Sequence, residues 1–411
     1  MVSTTAPTGT NHLPDSETPT VQRWLHSPKW DLTFLIFSIF IAVIPYSIYF
    51  IFGGKAFQTA EIQGTPAYNA RVLVNTLVAI FVGGPHMYAT FTRTILNRDF
   101  LRERRWLLGL SFLIPVAVFT MAVATYQTYV WLLTIFFAMA SIHALHQLIW
   151  VTEAYNRKAR WPSSILSRLI DYGVVLTSLY PIAVWKMVEG KFKIGPMALK
   201  FNEIMGGQWW LVYLSFTLFL FMLAAFVFKT LREIREGHFN LPKTLLISLT
   251  VMLMFLTPLF PNMDTSFQGI NVWHSFQYLA LTWYANRLHQ QRTRKPIGSL
   301  QVLPAGPPVG EGRGGDRTEA AGGRSYLIGR LIHGFRKIDR NTGWTPFYLQ
   351  CVVMLTFSGL LIVGAKAWWP NLHNGLPGAD EAYAYMGILS VLLVHYAHDA
   401  LLFFQPDSLI E

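Results

Sequence analysis

Ten stretches of the chain run for about twenty residues with few charges, at 31–53, 70–92, 106–126, 129–152, 166–188, 209–231, 242–260, 264–287, 344–368 and 380–405. A helix needs about 20 mostly apolar residues to cross the hydrocarbon of a bilayer. The pattern therefore predicts an all-α fold, a polytopic integral membrane helix bundle of about ten transmembrane helices. The eighth stretch, TSFQGINVWHSFQYLALTWYAN, is more polar than its neighbours, and polarity within a span usually marks function. Ahead of the first span, residues 1–29 are polar and rich in Thr, Pro and Ser. The apolar run that follows is too long for a signal-peptide core and has no small-residue cleavage site, so an uncleaved tail is expected.

The spans divide into a bundle at 30–290, a connecting segment at 291–343 and a second part of the bundle at 344–411. Residues 296–325 are Gly/Pro-rich and cannot bury a core, which predicts a disordered linker. After it, SYLIGRLIHGFRKIDRN sets Ile328, Leu331, Ile332, Phe335 and Ile338 at helical spacing opposite Arg330, Arg336, Lys337 and Arg340. That spacing predicts an interfacial amphipathic helix.

Composition agrees with lipid as the solvent, since 52% of residues are hydrophobic and 13% charged. The formal charge of +11 would suggest nucleic acid in a soluble chain, but here topology explains it and no nucleic-acid partner is expected. Arg93, Arg98, Arg102, Arg104 and Arg105 follow span two, Arg157, Lys158 and Arg160 follow span four, and Lys229, Arg232 and Arg235 follow span six. Basic loops stay in the cytoplasm, so both termini are expected there, in a bacterial inner membrane. Lys191, Lys193 and Lys200, between spans five and six, dissent from that alternation. The single cysteine, Cys351, excludes an intrachain disulfide and a cysteine-based metal cluster.

Six of the twelve histidines fall inside spans: His86 in the second, His143 and His146 in the fourth, His274 in the eighth, and His395 and His398 in the tenth. All four spans are even-numbered and so run in one direction. His86 precedes Arg93 by seven residues, His146 precedes Glu153 by seven, His398 precedes Pro406 by eight and His274 precedes Arg287 by thirteen. At 1.5 Å per residue, the imidazoles lie roughly 10–20 Å from one boundary. They occupy one layer. A lone histidine in a bundle is more often a hydrogen-bonding link between helices than a ligand, but a layer drawn from four helices points to a metal centre, because neutral imidazole binds iron, copper and zinc and enters hydrocarbon more cheaply than a charged group. The i, i+3 pairs His143/His146 and His395/His398 point to nearly the same helix face and could each give two ligands. Gln147 and Asp399 adjoin them as carboxylate or amide ligands or as groups that fix an imidazole tautomer.

Asn271, His274 and Tyr278 form a stripe along span eight, with Gln268 a turn earlier. It suits either a polar substrate group, support of the metal or a hydrogen-bonded helix seam. Asp171 beside Arg168 predicts an interfacial ion pair. His26, His238, His289, His333 and His373 carry no assignment.

Four short motifs resemble, in the same chain order, the bacterioopsin-related-protein-like family of membrane β-carotene oxygenases: GGPHMYAT around His86, SIHALHQ around His143, WHSFQY around His274 and HYAHDALLFFQP around His395 and His398. In that family several helices give histidines to a non-haem iron that splits a carotenoid. Its third motif carries a second histidine four residues after the first, where this chain has Tyr278. The resemblance implies His86, His143 and His274 as ligands, with His395 or His398 completing the set.

The leading expectation is a non-haem iron enzyme, an oxygenase that takes O₂ and a lipophilic substrate (an isoprenoid, carotenoid or fatty lipid) from the surrounding membrane lipids and draws on an electron donor where the chemistry needs one. Copper and zinc are the other metals such a site suits. Two other classes fit histidines in a membrane: a haem b electron-transfer protein, and a metal or proton transporter with a histidine relay.

Overall fold

The computed structural model describes residues 24–54, 62–159, 163–260, 262–293 and 343–403. The tail up to residue 23, the linker at 296–325 and the expected amphipathic helix beyond it lie outside the described residues.

The described chain is helical apart from one hairpin. Ten long helices follow in order: α1 Pro28–Gly53, α2 Pro66–Arg93, α3 Arg98–Ala124, α4 Tyr126–Lys158, α5 Ile165–Val188, α6 Trp209–Arg235, α7 Leu241–Leu259, α8 Met263–Thr293, α9 Trp344–Trp368 and α10 Ala379–Leu402. Between α5 and α6, the antiparallel strands β1 (Lys193–Ile194) and β2 (Met197–Ala198) pair Lys193 with Ala198 and Ile194 with Met197.

Among the described residues, nine helices are long and apolar enough to cross a membrane, which makes this an integral membrane protein. α8 is the exception, with 31 residues but low apolarity. Its surroundings explain this: from Met263 to Leu288 no residue of α8 is exposed. A helix that meets only protein needs no lipid-compatible surface. Around it, α4 and α10 bury 61% of their most apolar windows, whereas α6 buries 17% and α9 11%. α8 is thus enclosed, packed most closely against α1 and α2, and α6 and α9 face outward.

Glycines permit the closest crossings. A Cβ on Gly269 of α8 would collide with the Tyr46 ring of α1, whose hydroxyl donates to the Ser266 carbonyl at 2.8 Å. A Cβ on Gly387 of α10 would run into Ile362 and the Ser358 carbonyl of α9.

Each end of the bundle is fastened by buried charge. At one end, Arg71 is fully buried and donates to Asp264 (2.7 Å) and Glu381 (2.5 Å), joining α2, α8 and α10. Gly195, in the β hairpin with φ +50°, leaves no room there for a side chain because Arg71 lies against it. At the other end, Asp171 of α5 accepts from Lys229 of α6 and from Lys243 of α7 (3.0 Å), and Lys243 also donates to Asn156 of α4 at 3.0 Å.

Several expectations need correction. Asp171 does not pair with Arg168; it is fully buried with two ammonium partners, and Arg168 pairs with Glu153 at 2.9 Å. Lys229 belongs to the interior of a helix, not to a basic loop. Helix α3 begins at Arg98, capped by the Asn97 side chain, so its arginines extend the helix. Within the expected tail, Leu25 packs into the bundle: it is buried, its amide donates to Asp31 at 2.6 Å and its carbonyl accepts from Lys158 at 2.6 Å, while His26, Pro28 and Lys29 are exposed. The dissenting Lys191 and Lys200 are paired locally with Glu189 (2.9 Å) and Glu203 (2.6 Å).

Removing the shared carboxylate of the second network should be costly, because the buried Lys243 loses its counter-charge and Lys229 keeps only Glu233, at 3.4 Å. Asp171→Leu is expected to lower stability by about 3–5 kcal/mol, read as a fall in the unfolding midpoint of the detergent-purified protein. A midpoint within error of wild type would mean that the network is not a fastening.

Candidate metal centre

Helix α2 does not run straight to its histidine. A turn of π-helix at Ala79–Gly83 precedes the segment that begins at Gly84, and such turns redirect a helix where function requires it. A Cβ on Gly84 would meet the Ala79 carbonyl and come within 2.7 Å of Leu355 on α9, so both the wide turn and the α2–α9 contact need a glycine. The His86 Nδ1 lies 2.7 Å from the Gly83 carbonyl. A carbonyl only accepts, so the proton sits on Nδ1 and the lone pair is on Nε2.

His395, on α10, is set in the same way by other groups. Its Nδ1 is 2.5 Å from the Thr90 hydroxyl, which donates to Asp399 at 2.7 Å. The Tyr278 hydroxyl also donates to Asp399, at 2.5 Å. With Thr90 committed to the carboxylate, His395 Nδ1 donates and Nε2 again keeps the lone pair. His143, on α4, stacks on the Tyr396 ring with centroids 4.2 Å apart. His274, on α8, is the fourth.

These four imidazoles form a closed ring. Centroids are 5.2 Å apart from His86 to His274, 4.9 Å from His274 to His143, 4.8 Å from His143 to His395 and 4.5 Å from His395 to His86, each pair close to edge-on. One nitrogen from each lies within 4.8 Å of the other three. All four residues are buried. The Nε2 atoms of His86, His143 and His395, and both nitrogens of His274, have no hydrogen-bond partner among the described residues. Unpaired polar atoms in an interior are expensive. Here one from each residue converges with the other three, and with metal–nitrogen bonds near 2 Å two ligands across an ion sit about 4 Å apart. The ring is a buried group that can hold a metal ion, and it needs only small side-chain shifts to close on one.

His146 and His398 are not part of it, and the expected ligand set is corrected accordingly. His398 has both nitrogens engaged, Nδ1 with Thr94 at 3.2 Å and Nε2 with Ser111 at 2.9 Å. His146 is half-buried, its ring edge-on to Phe403 at 5.1 Å. In each i, i+3 pair only one member, His143 or His395, joins the ring here. Gln147 also turns elsewhere, donating to Gln277 (2.8 Å) and the His274 carbonyl (3.3 Å), and so fixes α4 to α8. Asn271 accepts from Ser275 at 3.1 Å, and Ser275 lies 3.0 Å from His86 Nδ1.

Sequence reasoning missed Thr90 and Ser275. Thr90 follows His86 by four residues and Ser275 adjoins His274, so helical spacing from the histidines was the available signal.

A cavity of about 440 Å³ leads to this centre, with His86 and Tyr396 at one end and Arg71, Asp264 and Glu381 at the other. Its middle is apolar. Phe137 and Phe267, with ring centroids 5.4 Å apart, line it and also a second apolar cavity of about 210 Å³. No family model, curated protein or solved structure matches this chain.

Elemental analysis of purified protein tests the centre. Wild type, His146→Ala and His398→Ala should retain the same metal, while His86→Ala and His395→Ala lose it. Thr90→Val, which leaves the ligands in place, should weaken metal binding roughly 10- to 100-fold. Equal metal in the His86 and His398 variants would refute the assignment.

Proposed function

We propose that the protein is a membrane-embedded, histidine-ligated non-haem iron oxygenase acting on a lipophilic substrate, with isoprenoids, carotenoids and fatty lipids as the candidate class. The observation that carries this reading is the apolar cavity ending at His86 beside the unpaired histidine nitrogens. An ion at the centre of a bundle is sealed from bulk water, and its substrate and O₂ are both concentrated in the surrounding lipid. Iron bound there would supply the redox chemistry, and imidazole ligands suit it as they suit copper.

The chain's own groups do the rest. Gly83 holds the His86 imidazole, and Thr90 with Asp399 that of His395, in one tautomer and orientation, and the buried α8 keeps polar support within reach without exposing it to lipid. Phe136, Phe137, Leu389 and Leu392 shape the cavity wall, exclude water and align a chain against His86.

The ring geometry weighs against haem b. A porphyrin between any two of these imidazoles would have to pass through the other two. Confinement of the group to one layer weighs against a relay across the membrane. The alternation of basic loops supports cytoplasmic termini, and the Arg71 end of the bundle then faces outward.

Oxygen uptake by iron-loaded protein in lipid micelles tests the function. Uptake that begins on addition of a polyene lipid, disappears in His86→Ala and is accompanied by no Soret band is the expected result. A Soret band, or uptake unaffected by the substitution, would overturn it.

A further inference from the structure

The cavity that reaches His86 is chemically two-ended. Along α2 it is lined by Asn75, Ala79, Gly83 and His86, a length of ~16 Å at 1.5 Å per residue. Between the ends the wall is predominantly hydrocarbon, with Ile80, Phe137, Leu355 and Leu392 among its members. Its rim includes Val72, Ile80 and Gly359, which are exposed on the outer faces of α2 and α9, so it opens sideways, towards lipid.

The far end is polar in a particular way. Its charged lining residues are Arg71, Asp264 and Glu381, and one guanidinium against two carboxylates leaves one negative charge. Asn75 donates through Nδ2 to Asp264 at 3.2 Å, which turns its Oδ1 the other way. That oxygen is buried with no hydrogen-bond partner among the described residues. An unpaired buried acceptor favours a ligand that donates a hydrogen bond. The net negative charge disfavours a carboxylate or phosphate.

We propose that the occupant is an amphipathic lipid alcohol, its hydroxyl donating to Asn75 Oδ1 and its hydrocarbon chain extended along the cavity to His86. This deepens the function proposed above and rests on it for the identity of the cavity as a substrate site. The hydroxyl end fixes how far the chain reaches, so the distance from hydroxyl to reacting carbons is set by the separation of Asn75 from the histidine ring.

Binding can be measured apart from catalysis, on metal-free protein in detergent, with tritiated hexadecanol as probe and hexadecanol, hexadecanoate and hexadecane as competitors at equal micellar mole fraction. Hexadecanol should compete at least about tenfold better than either of the others. Asn75→Leu should remove most of that preference while leaving hexadecane binding in place, and Gly359→Trp, at the lipid-facing rim, should reduce binding of all three. Equal competition by hexadecanoate or hexadecane in wild type overturns the proposal, and so does full alcohol preference in folded Asn75→Leu. If that variant does not fold, the wild-type competitor series decides alone. Alcohol-selective binding without metal-dependent oxygen uptake would overturn the oxygenase reading and leave the site standing, while oxygen uptake without alcohol preference would do the reverse.

Discussion

A hydrocarbon interior offers no water to satisfy polar groups, so each polar atom placed there must find a protein partner or a ligand. The bundle meets this constraint at many points by pairing buried side chains. Asp31 accepts from Leu25, His26 and Tyr155; Asp399 accepts from Thr90 and Tyr278; Gln277 donates to the Leu35 carbonyl at 2.9 Å, in a π-helical turn of α1. Other buried polar atoms also lack a partner among the described residues, but they are scattered, whereas five unpaired imidazole nitrogens are gathered in one ring. A metal ion satisfies all four residues at once, which is why the centre and the fold answer to the same requirement.

The placement of charge follows from the same requirement. The arginine–carboxylate cluster at one end and the lysine–aspartate cluster at the other each tie three helices together. Buried ion pairs seldom add much net stability, yet they penalise wrong packing heavily. Each cluster thus fixes the relative positions of helices whose apolar surfaces would otherwise slide. Four ligands on four helices need that fixity, because an error of an ångström at a metal centre loses a bond.

Polar α8 also takes its place from this. A helix with Ser266, Asn271, His274, Ser275, Gln277 and Tyr278 could not face lipid, and from Met263 to Leu288 none of its residues is exposed. Its burial gives the histidine ring a hydrogen-bonding wall, and its Gln268 and Asn271 edge becomes part of the cavity lining.

The sequence by itself determined the helices and the layer of histidines. Twenty-residue apolar runs report lipid contact directly, and residue counts along parallel helices convert into depth because the helical rise is constant. It could not decide which histidines converge, since depth is a coordinate along each axis and convergence depends on rotation about it. The π turn ahead of His86 and the Thr94 and Ser111 contacts that occupy His398 come from packing. So do the partners of Asp171, which lie 58 and 72 residues away, and the meeting of Arg71, Asp264 and Glu381. Local pattern fixes what each helix must bury, and only the neighbours that close around it decide what each buried group will touch.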